Sequence, residues 1–574
     1  MRVLAVALAA LAFASPALAA ERTNVSEAQA KATFLRFHKV ADWLDRYPTK
    51  GRIVDADYRK DQQDWKVHVW WRDAGEIATG LVDDRTGHVK EAWTGPQVAW
   101  KMARGYPGAF GGKTLNRVSV WLAFCIAFFV GLADIRRPLS LRNLDLLALL
   151  SFSISLRYFN GGDIFTSIPL AYPPLAYLLG RMLWIGFKGR RGTTGRPLWP
   201  VWLLAAATVF LVGFRVGLNV TQAKPNVIDV GYSGVIGAER IANGQSPYGH
   251  FPVDDASLKA CGPADADGEI RDHVQTNGRC ESSNGRGDTY GPFAYLAYVP
   301  GYLAVGWSGK WDGLPAAHFT SIAFDLLALL LLGLVGLRYG GQRLAVTLAF
   351  AWAAYPFTQY VLSSNTNDAI PPALLLLGFL FLVSDPLRGV SSALAGLTKF
   401  GSLLVVPLWS SYPRALERRS LIRFGAGFLA GSAAAFSILL LEPNVWHAAR
   451  VFWERTLGWQ LGRESPFSIW DWGQYHAAGI PDLAVLQKVV IGLVVLLALA
   501  LAVVPRRRTP LTVAALTAAL LIGFQLTLTH WFYLYIPWFF PFVALAVLAP
   551  APARPPTIVE PEPDRPSREL VAAG

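Results

Sequence analysis

Residues 228–249 read IDVGYSGVIGAERIANGQSPYG, and residues 287–298 read GDTYGPFAYLAY. The chain between them is polar. On either side it turns into long apolar runs. A polar loop over 220–314, set among apolar runs of near-membrane length, predicts a mainly α polytopic membrane protein. Composition points the same way. Of the 574 residues, 53% are hydrophobic and only 16% charged, against about 25% charged in a soluble protein. The formal charge of +13 raises the question of nucleic acid. However, Lys and Arg sit mostly in short loops between apolar runs, which is a topology signal, and no nucleic-acid partner is expected.

Working outward, MRVLAVALAALAFASPALAA (1–20) has a basic start, an apolar core and Ala17-Leu18-Ala19 before its end. It reads as a secretory signal peptide, cleaved or kept as an anchor. Apolar runs lie near 117–135, 143–158, 169–187, 199–219, 315–337, 343–361, 370–384, 389–398 with 400–411, 422–441, 483–504, 510–528 and 535–549. They predict about 12–13 transmembrane helices over 106–550. Basic clusters at Arg136/Arg137/Arg142, Lys188/Arg190/Arg191/Arg196, Arg338/Arg343, Arg414/Arg418/Arg419/Arg423 and Arg506/Arg507/Arg508 are expected on the cytoplasmic side. Loop 220–314, loop 442–482 and the turn at His530 then face outward. FAYLAYVPGYLAVGW (293–307) would break that parity if it crossed. Pro300-Gly301 interrupts it, so it is expected to be re-entrant or interfacial beside a water-filled cavity. The tail 551–574 is Pro-rich and predicted to be disordered.

Residues 21–105 are soluble in character. Ser26 is placed to cap a helix bearing Phe34, Phe37, Val40, Trp43 and Leu44, which Pro48 and Gly51 end. GRIVDADY, DWKVHVWW and EIATGLV read as strands, and DDRTGHVKEAW as a hairpin turning at Gly87. His38, His68 and His88 lack metal-ligand spacing and read as surface residues. This α+β module resembles the PepSY-like domains of bacterial envelope proteins, with VDDRTGHVKEAW in the hairpin position.

Cys125 lies in an apolar run and reads as packing. Cys261 and Cys280 share the outward loop, where a disulfide is expected; two free thiols are the alternative. Charges near membrane depth are costly and point to function. Asp229 is the leading case, with a helix cap as the competing reading. Asp288 is a second acid and Asp163 a third, in a loop too short to enclose a substrate. Lys399 sits where two short helices meet and needs an anionic partner, either a phosphate or a carboxylate. His530 can donate to a phosphate or a sugar. Asn365, Asn367 and Asp368 cluster at an outward turn. Trp531, Tyr533, Tyr535 and Trp538 read as an interfacial aromatic belt. Loop 453–475 carries Trp453, Trp459, Trp470 and Trp472 with Arg455, Arg463 and Asp471; it fits either an acceptor cleft or interfacial anchoring. No metal-ligand spacing is present, and no cofactor is expected.

Asp229, Tyr232 and Gly244-Gln245-Ser246-Pro247-Tyr248 resemble a pattern of GT-C class membrane glycosyltransferases, above all the bacterial transferases that use polyprenol-phosphate mannose. Those place an Asp in the first large outer loop, a Tyr nearby, a helix ending in G-Q-x-P-Y, then T-Y-P-P-L. Thr289-Tyr290-Gly291-Pro292-Phe293 stands for the last element, with Gly where the family has Pro and a longer Cys-bearing insert before it. The resemblance covers roughly 200–550. It implies a GT-C-like fold and inverting transfer of a mannose- or arabinose-like sugar. The donor would be a polyprenyl-phosphate sugar, and the acceptor a cell-envelope glycan or glycolipid at the outer face of a bacterial plasma membrane. It also implies Asp229 as general base and Tyr232 and Tyr290 as substrate contacts; Asp288 is the second catalytic candidate, and Asn365, Asp368, Lys399 and His530 are expected substrate contacts from the reading of the residues themselves. The alternatives are a multispan lipid or solute transporter, which expects charges spread through several spans, and a non-catalytic envelope assembly protein with a sensor domain.

Overall fold

The computed structural model describes residues 23–105, 110–189, 199–221, 227–264, 269–311 and 314–550. The expected signal peptide, the Pro-rich tail and the basic residues Arg190, Arg191 and Arg196 lie outside the described residues.

The N-terminal module begins with Ser26, which caps the helix Glu27–Arg36 in a reciprocal capping box with Gln29. Sequence periodicity predicts one helix through Leu44. The structure instead breaks it at Phe37, whose backbone is extended, and starts a second helix, His38–Leu44. The break re-aims the chain so that Phe34, Val40, Trp43 and Leu44 share one core. Strands β1 (Arg52–Arg59), β2 (Asp64–Trp71), β3 (Glu76–Asp83) and β4 (Val89–Thr94) form an antiparallel meander in that order. Their alternation buries Val67, Val69, Ala78 and Val82 completely. The Phe34 ring lies so close to Gly80 that an added Cβ would sit 2.4 Å from it. His68 pairs with Glu76 within the sheet.

The rest is mainly helical. Val201–Thr221, Pro315–Ala354, Arg418–Leu441, Ala484–Val503 and Pro510–Thr527 are long and apolar enough to cross a membrane. Shorter apolar helices include Val118–Leu132, Asn367–Leu380, Phe400–Ser410 and Tyr533–Leu548. Trp202, Val209 and Leu493 are 70%, 74% and 61% exposed. An apolar surface of this kind is accommodated by lipid rather than by water. The 40-residue run Pro315–Ala354 is a hairpin, because Gly341 leaves helical geometry (φ 73°). An added Cβ on Gly336 would lie 2.7 Å from the Cα of Ala345, which only a chain folded back on itself allows. This matches the two runs and the basic turn read from sequence.

The segment 293–307 makes two short helices, Pro292–Leu296 and Val299–Val305, with Gly301 against Ala316 and Thr320. The pair around Lys399 is likewise two pieces: Asp385–Gly396 ends, Lys399 is extended (φ −137°, ψ 113°), and a 3-10 turn, Phe400–Val405, follows. Polar groups also lie within the helical body. Arg215 and Asp325 form a buried pair (2.6 Å) that also accepts from the Trp352 indole (2.9 Å). Asp145 is held by Arg181 (3.0 Å) and Tyr177 (2.8 Å). Each charge is matched, as burial requires, so these pairs tie helices together.

Candidate active site

The helix Asp229–Ala242 organises the loop end. Its N-cap is Ile228, without a side-chain cap bond. Asp229 is therefore the first helical residue, and the cap reading does not describe it. Gly231, Gly234 and Gly237 recur every third residue on one side. An added Cβ there would lie 2.0 Å from the Asn365 carbonyl oxygen, 2.6 Å from the Tyr298 ring and 2.2 Å from the Tyr295 ring. These close approaches, with the Ile228 amide donating to the Ser364 carbonyl (3.3 Å), press the start of the helix onto the 364–368 turn.

The far end of the same helix is locked by a closed charge network. Arg240 pairs with Glu239 and Glu281 (2.7 Å to Glu281), and Arg279 with Glu239 and Glu281. Asn277 donates to Glu281 (2.9 Å). Strands β5 (Asp272–Val274) and β6 (Cys280–Ser282) carry this network, and Cys261 and Cys280 are joined by a disulfide. The Gly244–Tyr248 segment then wraps back. The Ser246 amide donates to Glu442 (3.1 Å), the Tyr248 hydroxyl to the Tyr290 carbonyl (2.9 Å) and the Gly249 amide to Asp288 (2.9 Å). Gly291 lies against the Leu397 carbonyl at a distance no side chain permits (2.1 Å to an added Cβ). That contact brings Tyr290 to Lys399.

Five of the residues singled out from sequence converge here: Asp229, Tyr290, Asp368, Lys399 and His530. The Lys399 ammonium lies 4.5 Å from the Tyr290 ring centre, 5.8 Å from Tyr535 and 6.0 Å from Trp538, and 3.4 Å from Asp368. Asp368 accepts from the Trp538 indole (3.2 Å) through the same oxygen, while its other oxygen is buried without a hydrogen-bond partner among the described residues. His530 Nδ1 meets the Ser465 hydroxyl (2.8 Å), and its Nε2 accepts from Arg463 (3.2 Å). That contact leaves the proton on Nδ1 and the ring neutral. Burial and the nearby Arg463 and Lys399 charges hold the His530 pKa well below its ordinary value. Arg463 also lies over the rings of Trp459 (4.8 Å) and Trp100 (5.9 Å), and its buried Nε has no hydrogen-bond partner among the described residues. The sequence assigns Arg463, with the rest of its Trp-rich loop, to an acceptor cleft or to interfacial anchoring; the Trp459-x-x-x-Arg463 spacing is the signal for the contact seen here.

Asp229 is exposed beside the charges of Arg463, Lys399 and Asp368, and these side chains define the candidate cleft. Burial raises its pKa above the ordinary carboxylate value, and Asp368 adds to this; the Val230 amide, Arg463 and Lys399 oppose it. The result is a carboxylate of increased basicity, open to the cleft, beside two cations that retain bonding capacity. Such a set can take a proton from a hydroxyl while stabilising negative charge that develops nearby.

Other expectations are corrected. Asp288 is fully buried, bound to Arg455 (2.6 Å) and the Gly249 amide, so it braces the loop instead of meeting substrate. Tyr232 is fully buried, and its hydroxyl donates to the Ser282 carbonyl (2.8 Å). Asn365 is buried and accepts from Asn219 (2.8 Å). Asp163 caps a short helix through Thr166 (3.1 Å). Trp531, Tyr533 and Trp538 are buried, not an interfacial belt: Trp531 donates to Gln525 (3.0 Å), Tyr533 meets Ser155 and Ser167 (2.6 and 2.7 Å), and Trp538 walls the cleft. Among the described residues, no three His, Cys, Asp or Glu side chains gather as metal ligands.

Comparison of the chain with protein-family models, with curated proteins and with solved structures finds no match.

Proposed function

We propose that this chain is a GT-C-like membrane glycosyltransferase of the bacterial cell envelope. In this reading the helices cross the plasma membrane about 12–13 times, and the cleft opens on the extracytoplasmic side. A mannose- or arabinose-like sugar passes from a polyprenyl-phosphate donor to a glycan or glycolipid acceptor. Asp229 removes the proton of the acceptor hydroxyl as its oxygen bonds to the anomeric carbon. The carbon–oxygen bond to phosphate breaks on the opposite face, inverting the centre, and polyprenyl phosphate leaves with the electron pair. Lys399 and Arg463 offset the charge it carries. Tyr290 and the Tyr535–Trp538 wall hold the Lys399 ammonium in place.

One observation carries this reading: a carboxylate open to the cleft stands beside a guanidinium and an ammonium that protein groups only partly satisfy. The motif resemblance around Asp229 supports it. The test is sugar transfer by the purified full-length protein, given radiolabelled polyprenyl-phosphate sugars and a lipid-linked glycan acceptor. Product that depends on Asp229 supports the reading; no product from any donor of this class defeats it.

A further inference from the structure

The cleft contains a residue from outside the membrane body. Trp100 stands between two short turns of the N-terminal module, Pro96–Ala99 and Lys101–Arg104, with extended backbone (φ −115°, ψ 96°) that projects its ring outward. This hook is anchored at several points. Gln97, buried, donates to the Gly162 carbonyl (2.8 Å). Arg104 closes the hook by donating to the carbonyls of Gln97 (2.8 Å) and Val98 (3.2 Å). Gly105 lies against Gly161 and Gly162, where an added Cβ would be 2.7 Å from backbone. Lys101 pairs with Glu269 of the outer loop (2.8 Å).

Behind the hook, the module docks separately. Trp43 stacks on Phe165 (5.6 Å, 23°), the Tyr47 hydroxyl donates to the Tyr475 carbonyl (2.8 Å), and the Ala478 amide donates to the Arg46 carbonyl (3.0 Å). These docking contacts do not involve Trp100. The Trp100 ring instead meets His530 (5.8 Å), Phe467 (5.3 Å) and the Arg463 guanidinium (5.9 Å).

We propose that Trp100 is a positioning residue of the cleft and that the N-terminal module is one of its walls. With Trp459 it clamps Arg463, so that the free edge of the guanidinium is presented to the donor's phosphodiester. The proposal rests on the transferase reading for the identity of that anion. Its physical basis is preorganisation. A long, flexible arginine loses side-chain freedom when it binds an anion; one already held between two indoles and a histidine has lost that freedom in advance.

The test measures binding and turnover on full-length protein in nanodiscs, with a short-chain polyprenyl-phosphate mannose as probe. Trp100→Ala is expected to raise its Kd about tenfold and to raise KM more than it lowers kcat. Trp100→Leu, which keeps volume without a π face, is expected to match Ala; Trp100→Phe is expected to stay within about threefold of the parent. Tyr47→Phe, which removes the docking bond to the Tyr475 carbonyl, is expected to bind the probe like the parent. The proposal is overturned if Trp100→Ala or Trp100→Leu binds as the parent does. It is also overturned if Tyr47→Phe reproduces their defect, since the role is then docking. A parent that binds the probe but transfers to no acceptor defeats the transferase reading and leaves the clamp standing; a parent that does not bind the probe defeats the phosphodiester assignment.

Discussion

Two charge clusters share the helix Asp229–Ala242, one at each end. At the far end, Glu239, Arg240, Arg279 and Glu281 balance two negative against two positive groups. Near its start, Asp229, Asp368, Lys399 and Arg463 carry the same formal balance, yet a carboxylate oxygen of Asp368 and the Arg463 Nε are left without hydrogen-bond partners among the described residues, and Asp229 opens to the cleft. Counting charges does not separate the two. Satisfaction does: a closed network stabilises the loop, whereas an incomplete one retains capacity for a ligand.

The largest test of this contrast sets Asp229 against Asp288, a fully buried acid paired with Arg455 outside both clusters. Asp229→Asn is expected to lower kcat/KM for transfer about 10³-fold, within the range for loss of a general base, without lowering the thermal melt of the solubilised protein, because the folded state disfavours the ionised carboxylate it replaces. Asp288→Asn is expected to do the reverse: it lowers the melting temperature by leaving Arg455 with a weakened partner, and surviving folded protein keeps most of its activity. If the two variants behave alike, the contrast fails.

Within the closed network, Arg240→Met leaves Glu239 and Glu281 buried with a partner missing. The expected cost is about 3 kcal/mol, read as faster hydrogen exchange of the β5–β6 amides. The disulfide acts on the same hairpin with a smaller effect. Cys261→Ser with Cys280→Ser releases a loop of sequence separation 19 and is expected to cost about 2–3 kcal/mol of local stability. Neither change is expected to alter the affinity for a polyprenyl-phosphate sugar by more than a few fold.

Much of this was legible in the chain, for physical reasons that also explain the rest. Apolar runs and strand alternation are local, so the helical body and the β1–β4 meander follow from them; the break at Phe37 does not, because a core shared by two helices sets it. Asp229 stands out because it follows an apolar run and opens a glycine-spaced helix. Asp288 looks the same from sequence, since the partner that neutralises it, Arg455, lies 167 residues away. Position in the chain alone points Tyr232 and Asn365 toward the candidate site, and only packing assigns the Tyr232 hydroxyl to Ser282 and the Asn365 amide oxygen to Asn219. The aromatic run at 531–538 fits an interface or an interior equally well by composition; bonds to Gln525, Ser155, Ser167 and Asp368 make it interior.

The finest test of the contrast is the acid limb of the pH profile. The base must be ionised, so activity rises with pH up to the Asp229 pKa, which lies above the ordinary carboxylate value, and falls about tenfold per unit below it. Stability runs the other way. Because the folded-state pKa is raised, this residue's contribution is complete below the ordinary carboxylate value and is lost as pH rises through the raised one. Within that window the protein should gain activity and lose stability together. Neighbours then move the limb with predictable sign. Asp368→Asn removes a negative charge, lowers the Asp229 pKa and shifts the limb to lower pH. Lys399→Met removes a positive charge and shifts it to higher pH. Arg240→Met belongs to the closed network and is expected to leave the limb where it is. A limb that ignores Asp368 and Lys399, or one that follows Arg240, would mean that Asp229 answers to the wrong cluster, and the division between the two ends of the helix would fall.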